Sequence, residues 1–368
     1  MFIHSITLRV ISAPLKQPFY NALGTITERE AIIIEVKDQN GLSGWGEVVA
    51  FSSPWYTEET IQTCYYILKE YLIPALNHKV THPEELQKNF ATIRGHHMAK
   101  SGLELAFWDL FSKQQGKPLY VLFGGKREEV EAGVVIASDD ITKALKQIEA
   151  YRSEGYKRYK VKVSPHNAIE YISTIRKEHE DLPLMVDANS SFTLDDMELF
   201  QRLDNFQLMM VEQPLGHDDL LLHSELQRQM KTPICLDESI TSFNTAKNAV
   251  VLQSAKILCV KMGRVGGWKQ AVSIHNYCMQ HHIPLWCGGM IEFGISRAHN
   301  VALATLEGFT IPGDISSSSR FWDEDIVEPE LTVSNGTVKV SSEMGIGCQI
   351  NWRVLDKLTS YKEEFPLI

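Results

Sequence analysis

The sequence predicts an α/β protein: a (β/α)8-type TIM barrel preceded by an N-terminal α+β capping domain. Three observations carry this. Lys162, Asp187, Glu212, Asp237 and Lys261 stand 25, 25, 25 and 24 residues apart. Each marks the end of a short apolar run, at residues 159–163, 184–186, 208–211, 234–236 and 257–260. The first 125 residues lack this period and read instead as strands followed by helices. A strand, a helix and two short loops take about 25 residues, the repeating unit of a parallel barrel.

In chain order, residues 3–10, 31–37 and 44–49 read as strands, the last two joined by a turn at Gln39-Asn40-Gly41. Helical segments follow at 58–71, 83–93 and 101–115; the last carries Leu103, Ala106, Phe107, Leu110 and Phe111 on one face. Gly124-Gly125 then closes a capping domain over residues 1–125. Two loops in it present aromatic residues: 14–24, with Phe19 and Tyr20, and 51–57, with Phe51, Trp55 and Tyr56. Such residues either form lids over a pocket or pack on the domain's own sheet.

The barrel is expected over residues 126–325. Extending the period backwards gives a strand at 133–137, ending at Ala137. Extending it forwards gives 284–286 before Cys287 and 309–311 before Asp314, which makes eight strands. Residues 326–368 are expected to return to the capping domain and complete it, starting with a hairpin over 331–340 around Asn335-Gly336.

Bulk properties narrow the function. The 368 residues suffice for one barrel of about 200–250 residues plus a smaller domain. A net charge of −10 without a dense basic cluster argues against nucleic acid as a partner. No apolar run has the length of a membrane span, and the first residues lack a secretory pattern. None of the six cysteines forms a CxxC pair, which suits a reducing cytoplasm, and Cys287 reads as apolar filler.

Polar groups at the carboxyl ends of barrel strands face the mouth. Asp187, Glu212 and Asp237 would therefore converge, and three close carboxylates repel without a cation. An all-oxygen set without histidine or cysteine favours Mg2+, or Mn2+, over zinc. Lys160 and Lys162 alternate on one strand and share a face. A neighbouring cation lowers a lysine pKa, so Lys160 beside Lys162, and Arg264 beside Lys261, would poise amines as bases. Lys160 could equally pair with an acid. The combination suits removal of a proton next to a carboxylate: the cation stabilises the enolate and an amine takes the proton. Two opposed amines permit either a racemisation or an elimination. A Schiff-base barrel enzyme would leave the acid trio without a purpose. A non-catalytic relative would be expected to have lost one of these residues.

The motifs Lys160-Val161-Lys162, Asp187-Ala188-Asn189, Glu212-Gln213-Pro214, Asp237-Glu238-Ser239 and Lys261 together resemble the muconate-cycloisomerase-like branch of the enolase superfamily. Residues 261–267 and 288–295, with Asp314-Ile315-Ser316 and Arg320-Phe321-Trp322, are similar to o-succinylbenzoate synthases and N-acylamino acid racemases. The resemblance implies the superfamily's modified barrel and a single divalent ion on Asp187, Glu212 and Asp237. It implies Lys162 and Lys261 as the catalytic pair, with Arg264 and Glu238 behind them. Lys160, Asn189, Gly289, Met290, Ile291, Phe19 and Tyr20 would meet a small carboxylate substrate bearing a succinyl arm. The implied reaction is dehydration of 2-succinyl-6-hydroxy-2,4-cyclohexadiene-1-carboxylate for menaquinone synthesis; the alternative is racemisation of an N-succinylamino acid. A cytoplasmic homo-oligomer is expected. Mandelate-racemase-like enzymes would need a histidine where Cys287-Gly288-Gly289 stands, and dipeptide epimerases an Asp-x-Asp where Asp314-Ile315-Ser316 stands.

Overall fold

The computed structural model describes the chain apart from Ala22, Leu23, Ala137, Asp139 and Ile368, and without the side chains of Tyr20 and Asn21. The expected strand end at Ala137 and the side-chain role of Tyr20 lie outside the described residues.

The first sheet has four antiparallel strands in the order Thr359–Pro366, Ile3–Asn21, Gly24–Asp38, Ser43–Val48. The turn after Asp38 forms as the sequence suggests: Gly41 has φ +83°, and Asp38 Oδ1 accepts from the backbone of Asn40 and Leu42. Residues 14–21 and Gly24 lie in strands rather than in a loop. The first two strands continue as a long hairpin that pairs Phe19 with Ile26 and Tyr20 with Thr25, beyond an irregularity between Pro14 and Phe19. Pro14 and Pro18 each lack a backbone donor, which accounts for the break in the ladder.

The helix His97–Gln114 lies on this sheet. The expectation of a one-sided apolar stripe is corrected: most of the helix, from Met98 to Leu110, is buried, because the barrel covers its other side. Ser101 Oγ donates to the Met262 carbonyl there. Close approach to the sheet needs glycine. A Cβ on Gly46 would stand 2.0 Å from the Gly102 carbonyl oxygen, and one on Gly44 2.2 Å from that of Ala106.

Seven parallel strands follow in sequence order: Gly133–Ile136, Arg158–Lys162, Leu184–Asp187, Val211–Glu212, Ile234–Leu236, Ile257–Val260 and Leu285–Cys287. Helices alternate with them, from Ile141–Ser153 to Gly294–Ala304. The expected eighth strand is reduced to isolated bridges, Phe309 to Leu285 and Gly313 to Ala132. Pro312 cannot donate, and Gly308 and Gly313 flank the segment. The ring still closes through Asp314 N to Cys287 O and Gly133 N to Gly313 O. Met185, Met210, Cys235, Ile257, Cys259 and Trp286 form a buried apolar cluster inside the barrel.

Asn335 and Gly336 take φ of +51° and +76°, as a tight hairpin turn requires. The strand after them, Thr337–Lys339, pairs with Glu129–Glu131 at the start of the barrel rather than with the first sheet. The return to that sheet is made later, by Thr359–Pro366 against Ile3–Asn21.

Candidate active site

The ladder sets the positions of the acids. Lys162 stands opposite Asp187, and Asp187 opposite Glu212. Glu212 then pairs with Cys235 rather than Asp237. The strands are staggered, as closure into a barrel demands. Leu236 pairs with Leu258, so the next residues, Asp237 and Cys259, follow side by side. As a result the ligand atoms of Glu212, Asp237 and Cys259 all lie within 4.8 Å of one another, and Asp187 falls outside that trio. A thiol, that of Cys259, thus stands beside the acids, its pKa pushed well up by burial and then by Asp237.

Each acid is paired. Lys162 Nζ donates to Asp187 Oδ2 at 2.6 Å and to Asn189 Oδ1 at 2.7 Å. Lys160 Nζ lies 2.7 Å from Asp314, 3.2 Å from Glu212 and 3.5 Å from Asp187, so it does pair with acids. Lys261 Nζ is 2.8 Å from Asp237 Oδ2, and Arg264 Nη1 is 2.6 Å from Asp237 Oδ1. Burial lowers the Lys261 pKa, but Asp237, Tyr56 and Cys259 outweigh it, so this pKa stands well above that of an ordinary lysine. Arg264 does lower it, as expected, but the carboxylate of Asp237 outweighs that contribution. Glu238, hydrogen-bonded to Asn189 Nδ2 at 2.8 Å, is pushed up to about 7 by burial and then by Asp237 and Asp187.

The residues present fit a divalent cation. Glu212 is fully buried, and among the described residues its Oε2 has no hydrogen-bond partner, although the Lys160 ammonium lies 3.2 Å away. Burial and then Asp187 push the Glu212 pKa well up. A buried carboxylate oxygen facing further carboxylates is a donor set that a hard cation would satisfy.

Above the acids is a cavity, open on one side. Lys162 and Lys261 both reach it, with Lys160, Asp187 and Asn189. The capping domain supplies Phe19, Phe51, Trp55 and Tyr56, so both aromatic stretches face the pocket. Tyr56 does most. Its hydroxyl accepts from Lys261 at 2.7 Å and Arg264 at 2.6 Å, and donates to Asp237 at 3.2 Å.

Gly289, Met290 and Ile291 form another wall. Ile291 has φ +55°, a costly conformation for a β-branched residue. Arg29, from the capping domain, donates to the carbonyls of Ile291, Val49 and Ala50. Glu292 accepts from Met290 N. Glu47 accepts from Phe293 N and Ser296 N, each at 2.8 Å, and its pKa is pushed up to about 8 by burial.

Sequence reasoning missed several residues here. Arg158 pairs with Asp314 and stacks on Trp286 at 4.7 Å. Its alternation with Lys160 and Lys162 on one strand was a usable signal, as was the alternation of Cys259 with Lys261. Arg29 and Glu47 act across the domain junction, and no local spacing marks them; Tyr56 was read as an aromatic that could cover a pocket, without its bonds to Lys261, Arg264 and Asp237.

Comparison with known proteins agrees with this geometry. Residues 143–354 match the family profile "Enolase C-terminal domain-like", and residues 5–124 that of the mandelate racemase / muconate lactonizing enzyme N-terminal domain. The chain is 48% identical to an o-succinylbenzoate synthase of Bacillus subtilis, over 99% of this chain and 98% of that one. It is 40% identical to an N-succinylamino acid racemase of Thermus thermophilus, over 98% of each. A crystal structure of an enolase-superfamily member from Listeria innocua superposes with a TM-score of 0.97 at 40% identity, covering 100% of both chains.

Proposed function

We propose a function from one premise: the chain belongs to the enolase superfamily, in its muconate-cycloisomerase-like branch. It is an o-succinylbenzoate synthase, dehydrating 2-succinyl-6-hydroxy-2,4-cyclohexadiene-1-carboxylate to 2-succinylbenzoate in menaquinone synthesis. The observation that carries this is the entry of two amines, Lys162 and Lys261, into one cavity with the acids at its floor. Asp187, Glu212 and Asp237 would hold Mg2+, which supplies positive charge to the substrate carboxylate as its α proton leaves.

Lys162 Nζ takes that proton. The ring C–O bond then breaks, and the same amine returns the proton to the departing hydroxyl, releasing water and leaving the aromatic ring. Lys261 stands on the opposite face as a fixed cation. The aromatic side chains of Phe19, Phe51 and Trp55 exclude water from the reacting carbon. Gly289, Met290 and Ile291 shape the space for the succinyl arm.

The same pair of amines supports a second activity, racemisation of N-succinylamino acids. There one lysine removes the α proton and the other delivers a proton to the opposite face. We take the protein to work in the cytoplasm as a homo-oligomer. Among the described residues no helix is long and apolar enough to cross a membrane.

The test is an assay of both substrates side by side, before and after treatment with a chelator. Turnover should vanish on chelation and return with Mg2+. Turnover that survives complete metal removal rejects the metal-assisted reaction.

A further inference from the structure

The cluster at the floor of the mouth contains a group that the proposed reactions do not use, the thiol of Cys259. Its Sγ and one carboxylate oxygen each of Glu212 and Asp237 lie within 4.8 Å of one another, and all three residues are buried. Gly288 makes the room: a Cβ there would stand 2.5 Å from that sulfur. Both acids have capacity for a further partner. Glu212 Oε2 has no hydrogen-bond partner among the described residues, although the Lys160 ammonium lies 3.2 Å away. Asp237 Oδ1 accepts a bond from Arg264 at 2.6 Å, and a carboxylate oxygen can take two. Asp187, by contrast, is occupied elsewhere, by Lys162 at 2.6 Å and by the Asn189 backbone at 3.1 Å.

We propose that Glu212, Asp237 and Cys259 form a mixed carboxylate–thiolate site for a thiophilic divalent ion such as Zn2+ or Cd2+, overlapping the Mg2+ site and competing with it. The inference rests on the reading of Glu212 and Asp237 as metal ligands, and adds to it a donor and a class of ion. Ligand atoms around a tetrahedral ion, at bond lengths of about 2.0–2.3 Å, stand roughly 3.5 Å apart. The trio reaches that spacing by a small side-chain movement and leaves the fourth position to water. Mg2+ takes oxygen ligands, so the sulfur gives it nothing and it needs Asp187. A thiophilic ion exchanges Asp187 for the sulfur and leaves Asp187 with Lys162. On binding, the Cys259 S–H bond breaks, a sulfur–metal bond forms and the proton passes to solvent. The negative charge that remains faces Lys160, 3.2 Å from Glu212, and Lys261, 2.8 Å from Asp237.

The probe is Cd2+, whose bond to a thiolate gives an ultraviolet charge-transfer band that carboxylates do not give. The full chain, freed of metal by a chelator, is titrated with Cd2+ by absorbance and with Mg2+ by calorimetry. Wild type should show the band, and Mg2+ in excess should reverse it. Cys259→Ser should lose the band and weaken Cd2+ by at least the roughly 10- to 100-fold that a change behind the ligands already costs a metal site, while Mg2+ affinity moves by about threefold at most. Cys259→Ala serves if the serine variant does not fold. Cys348→Ser, at the one cysteine that is not buried, should keep the band. A band that survives Cys259→Ser, or is lost with Cys348→Ser, would overturn the inference. So would Cd2+ uptake without a sulfur band, a band that Mg2+ does not reverse, or equal weakening of both ions in the Cys259 variants. A Cys259-dependent Cd2+ site in a protein that turns over neither the cyclohexadiene substrate nor an N-succinylamino acid would keep the inference and reject the proposed reactions.

Discussion

The two lysines proposed as catalytic stand in different surroundings. Lys162 keeps 21% of its side chain exposed, and its partners, Asp187 and Asn189, both come from the barrel. Lys261 keeps 8%, and it is tied to Tyr56, a residue of the capping domain, as well as to Asp237. One amine thus has both partners within the barrel. The other is set by the junction of two domains. A reaction that needs one amine as acid and base should tolerate a disturbed junction better than a reaction that needs both.

The largest effect should come from the lysines themselves. Lys162→Ala should abolish synthase and racemase turnover, by about 10³-fold or more. Lys261→Ala should abolish racemisation and damage the synthase severely, though less than Lys162→Ala does. Exchange of the α proton with deuterated solvent reads this directly: if Lys162→Ala still exchanged protons from both enantiomers, the two amines would not divide the work as described. The next effect sharpens the contrast. Tyr56→Phe removes the hydroxyl shared by Lys261, Arg264 and Asp237 and should slow racemisation about tenfold, with a loss of roughly threefold or less for the synthase. Equal losses in steady-state assays of both reactions would erase the distinction between the two sides.

The smallest effect concerns the other junction, at Glu47. Its folded-state pKa, near 8, lies above the ordinary carboxylate value because burial disfavours its charge, with Glu292 adding to the rise and Arg29 opposing it. A raised acid contributes stability that is complete below the ordinary value near 4.5 and is lost as pH rises through about 8. Glu47→Gln should therefore flatten the decline in melting stability between these limits, by at most one proton, ~1.4 kcal/mol per pH unit. Parallel melting profiles for the variant and wild type would show that Glu47 does not titrate in that range.

The same contrast explains what could be read in the sequence. Lys162, Asp187, Glu212, Asp237 and Lys261 were legible because a barrel repeats one unit and places each strand end at the mouth. The eighth strand was placed at 309–311, but its reduction to isolated bridges was not foreseen: Pro312 and the glycines beside it break the pairing while the ring still closes. Cys259 was hidden for another reason: its neighbours are decided by the stagger between strands, which no single run reveals. Arg29, Glu47 and Tyr56 are separated from their barrel partners by long stretches of chain and meet them only after the domains dock. The pairing of Lys261 with Asp237, which opposes the effect of Arg264, was not visible because the sequence shows Arg264 three residues on but not the distance to Asp237.

The first and last strands of the capping sheet are neighbours in space, yet Val10 and Ser360, which touch, are 350 residues apart. During synthesis at about 5–20 residues per second, the strand Ile3–Asn21 would wait roughly 20–70 s for its outer partner. Through that time one backbone edge stays unpaired on the ribosome, a surface to which another nascent copy could add. A stop codon or protease cut just before Thr359 would leave the catalytic residues intact and make that exposure permanent. Loss of a short terminal strand, far from any chemistry, would then appear first as insolubility.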